Sequence, residues 1–109
     1  MAKMENISKA DALGLVSKWD RQNHSISVFC FSSMIALISK SGRVVLCLDD
    51  CINLSLVDET ELRIFTSEAA FARVGPEDFP MDFVNEIPKF QQAICIDFPG
   101  KQMRWYLAG

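Results

Sequence analysis

Between residues 25 and 66, short apolar runs alternate with polar side chains and are punctuated by turn-forming residues. That is the pattern of antiparallel strands, in which successive side chains point to opposite faces of a sheet. The segment folds on paper into a five-strand meander. Ser41-Gly42 reads as a two-residue hairpin turn, which sets Leu37 opposite Leu46 and Ile35 opposite Leu48. A turn at Asp49-Asp50-Cys51 sets Leu48 opposite Ile52, Leu46 opposite Leu54 and Val44 opposite Leu56. A loop over residues 57–61 then brings Leu56 to Leu62 and Leu54 to Ile64. Going backwards, a turn at Ser32-Ser33 pairs Cys30 with Ile35 and Val28 with Leu37, unless that stretch is one long strand bent by a bulge. All four connections steer the same side chains to one face, and such agreement is what a foldable sequence shows.

The reverse face divides in two. Over the last two strands it reads Asn53, Ser55, Arg63 and Phe65, which water can cover. Over the first three it is greasy: Phe29, Phe31, Ala36, Ile38, Val45 and Cys47. A bare patch of that size is unusual on a soluble monomer. The expected cover is the N-terminal helix, the C-terminal segment or another subunit. Phe29, Phe31, Ala36, Ile38 and Val45 are therefore the candidate interaction surface.

The flanking segments supply the other elements. Ser8-Lys9-Ala10-Asp11 is a variant capping box, and Ala12, Leu13, Leu15, Val16 and Trp19 follow at helical spacing. A helix over residues 9–21 is predicted, stopped at Gln22-Asn23. Thr66-Ser67-Glu68 predicts a short helix through Val74, ended by Gly75-Pro76. Asp78 before Pro80 offers a second helix start, with Pro88 pointing to irregular chain. Pro99-Gly100 has the order of a type II turn and closes a last hairpin that pairs Ile96 with Met103 and Ile94 with Trp105. Cys95, Asp97, Gln102, Arg104 and Tyr106 then face the other way.

The expected fold class is α+β, mainly antiparallel β. An N-terminal helix packs on a five-strand meander, either a curled sheet or a small barrel, followed by a short helix and a C-terminal β-hairpin. In element order this is similar to small barrels such as the Sm-like fold, and in strand number to pleckstrin-homology-like barrels. The glycine-bearing Sm signature is absent from the sequence, and no helical pattern follows the last strand, so the likeness is one of shape.

Composition narrows the function. Half of the 109 residues are hydrophobic (50%) and 23% are charged, enough for a packed core in a single domain over residues 1–109. Residues 1–48 hold six basic and three acidic side chains, whereas residues 49–100 hold three basic and eleven acidic. The acidic half repels phosphates and no basic stripe interleaves with aromatics, so nucleic acid is not an expected partner. The greasiest run, Ile26 to Ile38, is interrupted by serines and too short to span a bilayer, so no membrane is expected either. Without a signal-peptide pattern, Cys30, Cys47, Cys51 and Cys95 read as reduced thiols in a cytoplasmic protein.

Candidate chemistry is thin. His24, the only histidine, would have to sit beside a cysteine nucleophile, and three of the four cysteines lie within strand patterns. Cys47-Leu48-Asp49-Asp50-Cys51 lacks the second ligand pair that a structural zinc needs. The acids Asp58, Glu59, Glu61, Glu68, Glu77, Asp78, Asp82 and Glu86 fall on predicted loops and helix starts, where they read as a solvated rim. No dinucleotide, Walker, hydrolase-elbow or zincin motif is present. The expectation is a non-catalytic domain without cofactor or metal, acting through self-association as a homodimer or through a protein partner. The alternative is a small β-barrel carrier of apolar ligands.

Overall fold

A computed structural model describes residues 4–32, 36–75, 90 and 92–109. They form one helix, α1 (Lys9–Arg21), and eight strands: β1 (Met4–Ile7), β2 (Ile26–Ser32), β3 (Ala36–Cys47), β4 (Cys51–Leu56), β5 (Glu61–Phe65), β6 (Ala70–Val74), β7 (Ala93–Phe98) and β8 (Met103–Ala108). A single 3₁₀ turn, Val57–Glu59, joins β4 to β5. The strands make one antiparallel sheet in the order β1-β6-β7-β8-β2-β3-β4-β5, curled but not closed. The expected class, α+β with an N-terminal helix on a curled antiparallel sheet and a C-terminal hairpin, is what forms.

Helix α1 follows its sequence signals closely. The Ser8 hydroxyl accepts from the Asp11 backbone N–H at 3.1 Å, which satisfies one of the donors a helix start leaves open. At the other end Asn23 adopts φ 51°. Its N–H donates to the Asp20 carbonyl at 3.0 Å and that of His24 to the Trp19 carbonyl at 2.9 Å, the paired bonds of a Schellman cap. Arg43 fixes this corner from the sheet by donating to Asn23 Oδ1 at 2.8 Å. The buried side chains Ala12, Leu13, Val16 and Trp19 enter the concavity of the sheet. There they share a core with Ile26, Val28, Val44, Ile52, Leu54, Ile64, Phe71, Ile94, Ile96 and Leu107.

The meander has four strands rather than five. Ser41-Gly42 is not a turn: β3 runs unbroken through it, pairing with β2 over its first half and with β4 over its second. Two register shifts interrupt β3, one opposite Ile26/Val28 and one between Val44 and Leu46. Each extra residue bends the strand and increases its twist. Gly42 sits at the crossover because of crowding, not because of a turn: a Cβ there would lie 3.1 Å from Leu56 Cδ2 and 3.3 Å from the Ser55 carbonyl oxygen. A glycine inside a strand pattern marks such a close approach.

The bulge after Val44 also changes faces. Leu46 stands opposite Asn53 rather than Leu54, and Cys47 opposite Ile52. Leu46 therefore shares the far side of the sheet with Asn53 and Arg63, whereas Leu54 faces the helix. The expected ladder of Leu37, Leu46 and Leu54 on one side is overturned at Leu46. The β2–β3 register differs as well, setting Cys30 opposite Leu37. That is a shift of two residues from expectation, so each side chain keeps its face. The expected Cys30–Ile35 pair is thereby replaced by Cys30–Leu37, while the connection over residues 33–35 lies outside the described residues.

Two further expectations change. The predicted helix over residues 66–74 is a turn followed by β6. Thr66 does not cap a helix: fully buried, it donates its hydroxyl to the Asp49 carbonyl at 3.3 Å and its N–H to the Asp50 carbonyl at 2.9 Å, tying the β3–β4 corner to the end of β5. The run Ala70–Val74 is buried toward both faces, with Phe71 in the helix-side core and Ala72 and Val74 in a second cluster. A short run of that kind carries no period-2 signal. The final hairpin turns over four residues, so Asp97 stands directly opposite Arg104 and Ile96 opposite Trp105. The helix start at Asp78–Pro80 falls outside the described residues.

Candidate functional site

The candidate surface lies on the convex side of the sheet, away from α1. Its centre is a second core. Phe29, Ala72, Val74, Ala93, Cys95, Tyr106 and Ala108 are buried together, with Phe31 and Phe90 half-buried against them. Each comes from alternate positions of neighbouring strands: Phe29 opposes Tyr106, Tyr106 opposes Cys95, and Cys95 opposes Ala72. Phe31 meets Tyr106 edge-to-face with ring centroids 5.7 Å apart and planes at 68°, a geometry that aligns ring edge with ring face.

A polar strip runs beside this cluster. Arg104 Nε lies 3.5 Å from Asp97 Oδ1. Both side chains are over a third exposed, so the pair contributes under about 1 kcal/mol. Arg104 also hydrogen-bonds the Tyr106 hydroxyl, which in turn partners Cys95. Burial pushes the Cys95 thiol up to about 11 from its ordinary 9.0, against a smaller pull from Arg104. Burial raises Tyr106 too. Two depressions flank the Asp97–Arg104 pair. The larger, about 390 Å³, is lined by Phe31, Ser32, Phe98, Pro99 and Met103 among others. The smaller, about 150 Å³, is lined by Asn6, Ala70 and Phe71.

The sign of the Cys95 shift gives a pH prediction. The neutral thiol is the form the fold accommodates, so its contribution is complete below pH 9 and is lost as pH climbs through 11. Stability is expected to fall by on the order of 2–3 kcal/mol between pH 8 and pH 11. Cys95→Ala should flatten that fall. Urea midpoints at the two pH values measure it, and equal slopes for the two proteins would contradict it.

The five candidate residues separate. Phe29 is fully buried and belongs to the internal cluster, not to a bare patch. Phe31 is half-buried. Ala36 stands in register opposite Phe31. Ile38 and Val45 are exposed, at 37% and 57%. Leu46, which sequence reasoning placed on the other face, joins them, turned outward by the bulge. Phe65 lies on the face expected of it and at 66% is the most exposed large apolar side chain among the described residues. The signal for Leu46 was Val44-Val45-Leu46-Cys47, four apolar residues in a row that leave the face assignment open to a bulge.

The other constellations do not assemble. Cys47 faces the helix, its thiol 3.7 Å from the Leu13 carbonyl oxygen. Cys51 stands on the far side and donates to Asn53 Oδ1 at 3.0 Å. With the sheet between them the two cannot form a disulfide. Among the described residues no three His, Cys, Asp or Glu side chains converge. The expected acidic rim is described at Glu59, Glu61 and Glu68, all exposed; Glu77, Asp78, Asp82 and Glu86 lie outside the described residues. His24 lines a shallow depression of about 80 Å³ with Trp19, Gln92 and Gly109. No family model, curated protein or solved structure matches the chain. Among the described residues no helix is long and apolar enough to cross a membrane.

Proposed function

We propose that this is a non-catalytic domain that works by protein–protein association, with a second copy of itself as the first candidate partner. The observation that carries the reading is the exposure of Leu46 and Phe65 on the convex side of β3–β5, with Val45 exposed at the bulge beside Leu46. This is the end of the sheet where Asn53, Ser55, Arg63 and Phe65 were expected to leave a mostly wettable surface. Large apolar side chains exposed there cost solvation unless something covers them. The carrier reading has less support, because α1 fills the concave side where an apolar ligand would sit.

Sedimentation velocity tests the proposal. Reversible association is expected at micromolar to millimolar concentration, weakened at least tenfold by the double change Val45→Asp/Phe65→Asp. Both positions are too exposed for that change to unfold the protein. A wild type that stays monomeric throughout and is unaffected by the change would remove the basis for self-association.

A further inference from the structure

The sheet ends in β5, whose outer edge has no strand partner among the described residues. Its hydrogen-bonding phase can be read from its inner neighbour. The Leu56 N–H donates to the Thr60 carbonyl at 2.7 Å, and the Thr66 N–H to the Asp50 carbonyl at 2.9 Å. In an antiparallel ladder, hydrogen-bonded and non-hydrogen-bonded pairs alternate. Residues 60, 62, 64 and 66 therefore turn their backbone groups toward β4, and Glu61, Arg63 and Phe65 turn theirs toward the open edge. Side-chain exposure follows the same alternation: Glu61, Arg63 and Phe65 are exposed, Leu62 is half-buried and Ile64 is buried.

We propose that β5 is a self-pairing edge. A second copy docks antiparallel about a two-fold axis, with Leu62 opposite Leu62 and Glu61 opposite Arg63 in both directions. This deepens the association reading above and rests on it. Pairing residues must share a face, so only alternate registers are open to two such edges. Centred on Arg63, the ladder sets two guanidinium groups directly opposite each other, which is destabilising. Centred on Ile64, it sets Arg63 against Phe65 and leaves both charges without partners across the seam. Centred on Leu62, it forms two reciprocal Glu–Arg pairs, and the outward backbone groups of Glu61 and Arg63 meet those of the partner. Neither side chain has an ion pair within its own chain among the described residues.

The surroundings favour this register. Residues 49–75 carry six acidic and two basic side chains, so two copies brought together here repel unless Arg63 is matched to an acid. The other sheet edge differs: Glu5, the one charged residue of β1 (Met4–Ile7), already stands opposite Arg73 of β6. Pairing β1 of one copy to β5 of the next would be head-to-tail, giving rings or open filaments rather than a closed pair. The two-fold β5 seam closes at two copies and joins the two eight-stranded sheets of the described residues into one.

Charge reversal at an exposed edge leaves the fold intact and tests the register. The wild type is expected to sediment as a dimer. Arg63→Glu and Glu61→Arg, each alone, are expected to raise the dimer dissociation constant at least tenfold. The double swap Glu61→Arg/Arg63→Glu should restore it to within about threefold, because the reciprocal pairs re-form with their signs exchanged. A dimer indifferent to the single reversals, single variants that the swap does not rescue, or assembly beyond two copies would each overturn the β5 seam. Association that ignores the reversals but is lost in Val45→Asp/Phe65→Asp would leave the association reading standing without this register. A wild type that never associates would remove both.

Discussion

Phe29→Ala is expected to cost about 3–5 kcal/mol of stability, while Ile38→Ala, opposite it on the adjacent strand, costs under about 1 kcal/mol. The two residues are cross-strand partners on one face, yet Phe29 is fully buried and Ile38 is 37% exposed. Removing the ring opens a void amid Ala72, Val74, Ala93, Cys95, Tyr106 and Ala108. Four of these six neighbours are alanine or cysteine, too small to collapse into the space. Urea denaturation of both variants measures the difference. Comparable small losses would mean that the convex cluster is loosely covered, and that Phe29 belongs to the docking surface after all.

Trp19→Ala should rank beside it, at about 3–5 kcal/mol. Trp19 is 4% exposed at the last turn of α1, and its carbonyl accepts the His24 N–H that closes the helix cap. Its indole also abuts the end of the β7–β8 ladder, close enough that a Cβ at Gly109 would stand 2.8 Å from the ring. Loss of the ring therefore loosens the helix from the sheet at the point where β7 and β8 meet it. Far-ultraviolet circular dichroism through a thermal scan reads the effect. A shift of less than about 4 °C would contradict the assigned role, given roughly 4–8 °C per kcal/mol in a domain of this size.

What could be read from the sequence was whatever depended on one local signal. The bounds of α1, its Ser8 cap and its Asn23 stop follow from side chains within a few residues of one another. So does the alternation in β4 and β5, where one face is apolar, whereas β7 and β8 were legible from the Pro99-Gly100 turn that joins them. The misreadings share a physical cause. Ser41-Gly42 has the composition of a turn, but Gly42 is there so that Leu56 and the Ser55 carbonyl can come close, a demand made by residues 13 and 14 positions away. Thr66 looks like a cap, but its hydroxyl serves the carbonyl of Asp49. β6 is buried on both faces, so its alternation vanishes, and β1 is a four-residue edge strand with too few positions to show a period. Of the candidate surface, the greasy side of β2 and β3 was legible. Its division into an internal cluster around Phe29 and an exposed margin at Ile38 and Val45 was not, because burial there depends on β6, β7 and β8, all distant in sequence.

The strand order has a consequence for how the chain acquires its shape. β2 through β5 are joined by short connections and can zip together early, and β1 can meet β6 once residue 74 exists. These two partial sheets share no ladder. Only β7 and β8 bridge them, through β6–β7 on one side and β2–β8 on the other. A nascent chain thus holds two half-assembled pieces, each with an inner edge open to wrong pairing, until the final hairpin is made. Seaming β2 to β8 closes a loop of more than seventy residues, and topologies dominated by such distant pairings fold on the millisecond-to-second scale.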